Sequence, residues 1–313
     1  KLEKSDFLAL CNKTSDRLLG CCNYLDFKTG VYDDFTISSY TKLNKAYFCK
    51  SIFCPICSWR RSLKIFSQLS SVIENLGDDY RYLFVTFTLK NCELWKLSDT
   101  IKNMSKGFDN FNHYPFIKAG FKGYFKSLEI TYNRDSDMFH PHFHLLVAVK
   151  PEYLEQKKDY LTQEYIAKVW GTCLGLDYFP RVQLRAVPKD GVDYRMKGET
   201  SKSSLNPYYT YNNDTAHSVD DAKEYLSKEN FDLLTLPPRV LAYLLIGVDP
   251  HTRFCSWGGV MNKARRELAL DDIDNGDLLN VSDNDVQDFN YWLLSQYSYN
   301  NLDKSYKLSL IHI

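Results

Sequence analysis

The chain has 313 residues, 44% hydrophobic and 25% charged, enough to bury one large core or two to three smaller ones. Its 39 basic and 39 acidic residues cancel, so the molecule as a whole is not a polycation, and no run of about 18 apolar residues predicts a membrane span. No secretory pattern opens the sequence and the nine cysteines crowd toward the N-terminus, so the expectation is a soluble cytoplasmic protein with a thiolate metal site rather than a disulfide framework.

Charge is unevenly spread. Between Phe35 and Ile73 there is no acid, while Lys42, Lys45, Lys50, Arg60, Arg61 and Lys64 are basic; residues 271–288 carry seven aspartates. Part of the surface is therefore expected to meet nucleic acid. In chain order, Cys11, Cys21 and Cys22 precede Cys49, Cys54 and Cys57. The Cys54-Pro55-Ile56-Cys57 turn converges two thiolates on one ion, as in zinc knuckles, and Cys49 supplies a third ligand. The fourth is left among Cys11, Cys21 and Cys22. Residues 58–66 then have helical spacing and a basic face. Arg60, Arg61 and Lys64, with Lys50 just ahead, read either as a DNA-contact set or as the solvated side of an amphipathic helix.

Residues 82–89 predict a strand with Thr86 and Thr88 on one face, and 94–113 a helix. Strands are expected over 123–132 and 142–149, a helix over 152–170, a strand over 181–187 and, after a polar Tyr/Asn-rich loop, a helix over 219–230. The order β-α-β-β-α-β-α predicts an α+β fold with a ferredoxin-like antiparallel sheet. His140, His142 and His144, three of the seven histidines, alternate just ahead of a buried-strand run, so their side chains share a face. Imidazoles so arranged suit a divalent cation. A hairpin turn centred between Ser136 and Asp137 sets Glu129 opposite His144 and Thr131 opposite His142, giving a two-histidine, one-carboxylate set. Such a set with open positions suits Mg²⁺ or Mn²⁺ handling a phosphate. A slip of one residue would turn Glu129 to the other face as an ordinary strand acid.

On the last of these helices Asp221, Tyr225 and Lys228 lie along one side, with Val219, Ala222 and Leu226 beside them to dock on the sheet. A phenol flanked by a carboxylate and an ammonium forms a nucleophile set for phosphorus chemistry. The competing structural reading is a half-buried tyrosine with a wet hydroxyl, and Asp221 as the acid of a capping box begun by Ser218. Beyond Pro237-Pro238 a helix, the Gly258-Gly259 turn and a second helix lead into the acidic stretch. Residues 289–299 are aromatic and polar without a clear period.

Separate blocks of this sequence resemble the rolling-circle replication initiators (Rep proteins) of small bacterial plasmids, within the HUH endonuclease superfamily. They are Ala46 through Lys64 with its cysteines; Phe84-Val85-Thr86-Phe87-Thr88-Leu89-Lys90-Asn91; Ser127 to Tyr132 with His140-Pro141-His142-Phe143-His144; Ala222-Lys223-Glu224-Tyr225-Leu226-Ser227-Lys228; and Trp257-Gly258-Gly259-Val260 running into residues 268–272. The resemblance implies a site-specific nicking and closing enzyme. His142 and His144, with Glu129 or His140, hold Mg²⁺ or Mn²⁺ at the scissile phosphate. Tyr225 displaces the 3′-hydroxyl and keeps a 5′-phosphotyrosine. The family expects Glu four residues before that tyrosine; this chain has Asp221 there, with Glu224 as a weaker candidate. A family cysteine three residues before a Tyr-Leu pair matches Cys21 ahead of Tyr24-Leu25, which implies a zinc set of Cys21, Cys49, Cys54 and Cys57. Origin DNA, a host helicase, a DNA polymerase and a second copy of the chain are the implied partners. The expected organisation is a zinc-binding, basic DNA-contact module over 1–75, the HUH domain over 76–235 and a mainly helical C-terminal region over 236–313. Competing readings are a zinc-containing DNA-binding regulator with an inert core and a single-tyrosine transposase of the same superfamily.

Overall fold

The structure is a computed structural model that describes residues 4–156, 158–187, 218–228, 236–249, 251–279, 289 and 291–312. In chain order the elements begin α1 (Lys4–Leu19), β1 (Tyr24–Val31), β2 (Ile37–Ala46), α2 (Pro55–Leu76), β3 (Arg81–Thr88), the short β4 (Cys92–Glu93), α3 (Leu97–His113) and α4 (Pro115–Gly120). They continue as β5 (Gly123–Asn133), β6 (Met138–Val149), α5 (Pro151–Glu155), α6 (Gln163–Leu174), β7 (Val182–Val187), α7 (Val219–Ser227) and α8 (Pro238–Gly247). Last come β8 (Cys255–Gly258), α9 (Gly259–Glu267), β9 (Tyr291–Asn300) and β10 (Ser305–His312). Two compact units result, one of residues 1–67 with 271–313 and one of residues 68–270. Among the described residues no helix is long and apolar enough to cross a membrane.

The larger unit is built on a sheet of order β7-β3-β6-β5-β8, with β4 pairing to β6, all pairs antiparallel. With α3 and α6 as the crossovers, this is the expected ferredoxin-like α+β topology, extended by β8. β6 lies between β3 and β5, and Leu145 through Val149 are fully buried, which is why this stretch reads as one continuous apolar run. The two sheet faces are chemically distinct. Phe87 and Phe143 turn toward Phe108 and Phe111 of α3 and Trp170 of α6, forming an aromatic core with ring centroids 4.9 to 6.4 Å apart. Phe84, Thr86, Glu129, His142 and His144 turn to the opposite face.

The predicted helix over 152–170 is two helices. Thr162 caps α6 by accepting from the Tyr165 amide at 3.1 Å, and the Tyr153 hydroxyl accepts from the Leu161 amide at 3.1 Å, so the chain between turns instead of continuing. Gly175, at φ +64°, ends α6 in a left-handed C-cap. The β5–β6 register also differs from the expected one: Glu129 lies opposite His142 and Thr131 opposite His140. The Asn133 carboxamide oxygen accepts from the amides of Asp135 and Ser136, and Asp137 takes φ +53°, closing the turn one residue earlier than expected. A displacement by two residues keeps every side chain on its face. The polar loop of residues 190–217 lies outside the described residues.

The smaller unit joins both ends of the chain. Its sheet has the order β10-β9-β1-β2, with β9 running antiparallel to β1 from Tyr24↔Ser298 to Val31↔Tyr291. The region expected to be mainly helical over 236–313 therefore contains α8, β8 and α9 within the larger unit and a β-hairpin that belongs with the N-terminal residues. The missing period in residues 289–299 has a simple cause: aromatic residues occupy both faces of β9, Trp292 on one and Tyr291, Tyr297 and Tyr299 on the other.

The basic face of α2 is largely internal. Lys64 is 3% exposed and its ammonium donates to the Asp271 carboxylate at 2.9 Å and to the carbonyls of Asp272 and Asp277 at 2.8 Å. Arg61, also buried, donates to the Lys50 carbonyl, and Arg60 donates to the carbonyls of Leu278 and Leu279. Lys50 reaches the Asn275 carbonyl. Lys64, Arg60 and Lys50 thus tie down residues 271–279, and the three basic side chains expected at DNA each donate to protein acceptors, Lys64 and Arg61 buried and Arg60 half-buried.

Lys64→Met keeps the aliphatic packing but removes the ion pair with Asp271 and one donor from each of the Asp272 and Asp277 carbonyls, and is expected to cost about 2–3 kcal/mol in urea unfolding of the full chain. Hydrogen bonding from Lys64 first, against burial, holds the Asp271 carboxyl at about 2, below its ordinary 3.8. Its contribution is thus complete at neutral pH and is lost as the pH falls from 3.8 through about 2, a dependence that Lys64→Met should remove from the acid arm of the unfolding profile.

Candidate active site

The polar face of the larger sheet brings together side chains from four elements. From β5, one carboxylate oxygen of Glu129 lies 2.9 Å from Nε2 of His142 and 2.8 Å from Nε2 of His144, both on β6. The histidines are buried and Glu129 half-buried. The second ring nitrogens are also held. Nδ1 of His142 donates to the His140 carbonyl at 3.1 Å, which turns Nε2 toward Glu129. Nδ1 of His144 meets the Thr86 hydroxyl of β3 at 3.0 Å, and Phe84 stacks on the same imidazole at 5.7 Å. Burial by itself would raise the Glu129 carboxyl, but hydrogen bonds from His142 and then His144 outweigh it and hold the group well below the usual carboxylate range.

This set fits a hard divalent cation. Neighbouring ligands on an octahedral ion with bonds of about 2.1 Å lie about 3 Å apart, close to both Glu129–imidazole separations. The three residues would supply one nitrogen each from the histidines and one carboxylate oxygen, with open positions left over. His140 stands outside the group: its Nδ1 contacts the Asn91 carboxamide oxygen at 2.6 Å. Burial, then the charge of His142, lowers it to about 4, so it is neutral at pH 7.

Tyr225 reaches this face from α7. Val219, Ala222 and Leu226 bury the apolar side of that helix, and Ser218 caps it by accepting from the Asp221 amide at 3.0 Å. The Tyr225 ring packs edge-on against His144, centroids 4.8 Å apart, and against Phe84 at 5.5 Å. The Lys228 ammonium stands 4.5 Å from the Tyr225 ring centre. Asp221 and Glu224 are both exposed, Asp221 one turn before Tyr225. In the sequence Thr86 is legible only as part of a polar strip, and nothing there singles out Phe84 or Asn91. Alternation along β3 puts Phe84, Thr86 and Thr88 on one face, but the cross-strand pairing Thr86↔His144 that gives Thr86 its role is a tertiary fact.

A second cluster lies in the smaller unit. Cys54 and Cys57 flank the start of α2, Cys49 precedes them, and Cys21 arrives from the turn after α1. Sulfur separations are 3.5 Å for Cys21–Cys57 and Cys21–Cys54 and 3.6 Å for Cys49–Cys57, all four residues being buried. Tetrahedral zinc with bonds of about 2.3 Å sets its sulfurs about 3.8 Å apart, so the group fits that ion with slight expansion. Hydrogen bonds from Cys21, Cys49 and Cys57 drive the Cys54 thiol down, while the other three are driven up. Four sulfurs this close cannot all be anionic without a cation among them. Cys22, 3.8 Å from Cys21, stays outside the four, and Cys11 lies in α1.

Against known proteins, residues 40–307 match the family model described as a replication protein. A "Protein rep" of Lactiplantibacillus plantarum is 30% identical over 286 residues, covering 90% of this chain and 83% of its own. A "Protein rep" of Streptococcus pneumoniae serotype 2 is 32% identical over 249 residues, 77% of this chain and 70% of its own, and one of Bacillus amyloliquefaciens is 30% identical over 296 residues, 91% and 81%. No solved structure matches the chain.

Calorimetric titration with Mn²⁺ is expected to lose its binding signal in His142→Ala, and Thr86→Val, which removes only the support behind His144, is expected to weaken it about 10- to 100-fold. Wild-type affinity in both variants would refute the cation assignment. Zinc released on denaturation should amount to about one ion per chain, and none in Cys57→Ser.

Proposed function

Because the chain belongs to the replication-protein family of plasmid rolling-circle initiators, we propose that it opens replication as an HUH-type endonuclease that nicks one origin strand with Tyr225 and later rejoins it. The reading rests chiefly on the packing of Tyr225 against His144, itself one of the three residues that converge at Glu129. A nucleophile has to stand beside the group that holds the scissile phosphate, and this contact supports that role for the Tyr225 phenol.

A divalent cation, Mg²⁺ or Mn²⁺, held by Glu129, His142 and His144 would polarise the scissile phosphate and offset charge as it develops. The protein's own residues do the rest. Thr86 and the His140 carbonyl fix the ring orientations, and Phe84 wedges His144 and Tyr225 into one geometry. A phenol ionises near pH 10 in water, so deprotonation at neutral pH needs positive charge close by, and the Lys228 ammonium over the ring provides some of it. The Tyr225 oxygen bonds to phosphorus as the bond from phosphorus to the 3′ oxygen breaks. The phenolic proton passes to Asp221 or water, and the departing 3′ oxygen takes a proton from solvent. Closing is the reverse exchange: a 3′-hydroxyl attacks the phosphotyrosine and the phenol leaves. One ester replaces another, so no nucleotide is consumed. Asp221 is the preferred proton carrier for closing, with Glu224 the alternative. The 3′ end left by the nick would prime a host polymerase behind a host helicase, and the thiolate cluster would hold structural zinc.

Single-stranded origin oligonucleotide and Mn²⁺, run on a denaturing gel, should yield a covalent protein–DNA band. Tyr225→Phe should abolish that band while oligonucleotide affinity stays within about twofold, since only a hydroxyl is lost and the ring packing is kept. A Tyr225→Phe protein that still forms the adduct rules out this nucleophile, and a wild-type protein that binds the origin without forming one would be a regulator with an inert core.

A further inference from the structure

The smaller unit retains lysines that are not turned inward. In a sheet, residues paired across the ladder share a face. Lys28 of β1 pairs with Lys42 of β2, and Asp26, two residues earlier on the same face, pairs with Lys45. On the other side of β1, Gly30 pairs with Trp292 of β9. The Lys28 ammonium stands 4.4 Å from the Trp292 ring centre, and Tyr40 lies 6.1 Å from the same ring, so these groups occupy one face together. Phe289 covers Gly30, where any Cβ would overlap its ring, and packs against Trp292 at 5.2 Å and Tyr40 at 5.8 Å. Asp26 is buried, with its carboxylate 3.4 Å from the Asn44 amide. Lys45 is exposed and Lys28 and Lys42 are partly so; among the described residues no carboxylate forms an ion pair with any of the three.

Like charges directly opposite each other weaken a sheet, so the Lys28–Lys42 pair is unfavourable until an anion bridges it. Aromatic rings that bind bases need open faces, whereas these rings pack on one another and on Lys28, where they brace its ammonium. Paired lysines beside rings that are already packed suit phosphates rather than bases. We infer that Lys28, Lys42 and Lys45 form a sequence-independent contact for the phosphate backbone of duplex DNA, set on the Trp292 face of the four-stranded sheet. The inference rests on the reading of the chain as an origin-binding initiator, and it gives the smaller unit a DNA contact besides the basic residues around α2.

The test is the salt dependence of full-length protein binding to duplex DNA of unrelated sequence, by fluorescence anisotropy between about 50 and 200 mM salt, with a single strand of equal length alongside. In the triple variant Lys28→Gln, Lys42→Gln, Lys45→Gln, the slope of log affinity against log salt on the duplex should become shallower by about 0.9 per lysine, roughly 2.7 in total. The corresponding triple Arg variant should keep the parent slope, which separates lost charge from a damaged fold. Equal duplex slopes in the parent and Gln proteins would overturn the inference, as would a change confined to the single strand or an Arg variant as shallow as the Gln one. Adduct formation on a short single-stranded origin oligonucleotide should be the same in all three proteins. If none of them forms an adduct, the nicking reading fails by itself, and the slopes still decide the surface.

Discussion

One carboxylate oxygen of Glu129 lies within 3 Å of two imidazole nitrogens, and the rest of the larger unit is arranged so that it stays there. The contact requires β5 and β6 to pair in a register that puts Glu129 on the histidine face, and it requires both strands to be stiff. β6 meets the second condition because it is central, flanked by β3 and β5, with its last five residues buried. β3 contributes Thr86 and Phe84, which fix the outer nitrogen and the plane of His144. Preorganisation of this kind matters most where charge develops during a reaction, because the protein then has no reorganisation to perform at that moment.

The division of labour between the two sheet faces follows from alternation. Every second residue of β3 and β6 goes to the core under α3 and α6, and the residues between them are free to hold polar groups. A short helix then suffices to deliver a tyrosine. Three apolar residues of α7 anchor it, and its exposed side carries the acids. On this view the proposed nucleophile owes its position to packing of Val219, Ala222 and Leu226 as much as to any polar contact.

In the smaller unit the governing constraint is charge. The acid-free stretch and the aspartate-rich stretch lie nearly 200 residues apart in sequence, and each suggests a surface for an outside partner. Between Lys64 and Arg60 of the first and residues 271–279 of the second the contacts are internal. Lys64, Arg60 and Arg61 saturate carbonyls and one carboxylate, and the thiolate cluster sits at the start of the same helix. A buried ammonium left without acceptors would be costly, so three oxygens around Lys64 mark a structural clamp rather than a site awaiting DNA. Net neutrality of the whole chain thus conceals local pairing inside and unpaired lysines on a sheet face outside.

Local patterns determined a good deal of this protein. The strand–helix order predicted the ferredoxin-like sheet; alternate histidines declared their shared face; and the apolar positions of α7 showed which side would dock. These are short-range properties, set by the periods of strand and helix, and they can be read without knowing what lies opposite. The tertiary structure decided everything that depends on a partner distant in the chain. It set Glu129 against both histidines through a turn closed one residue early, which shifts the pairing by two, and the site survived because an even displacement preserves the face. It excluded His140 by giving its ring to Asn91, and split one expected helix into α5 and α6. It drew β9 from the far end of the chain to lie beside β1, a pairing hidden because aromatic side chains on both faces of β9 erase the alternation by which strands are recognised. And it turned a basic helix inward, since a run of positive residues reveals the charge to be neutralised but not whether the neutralising group belongs to another molecule or to the same one.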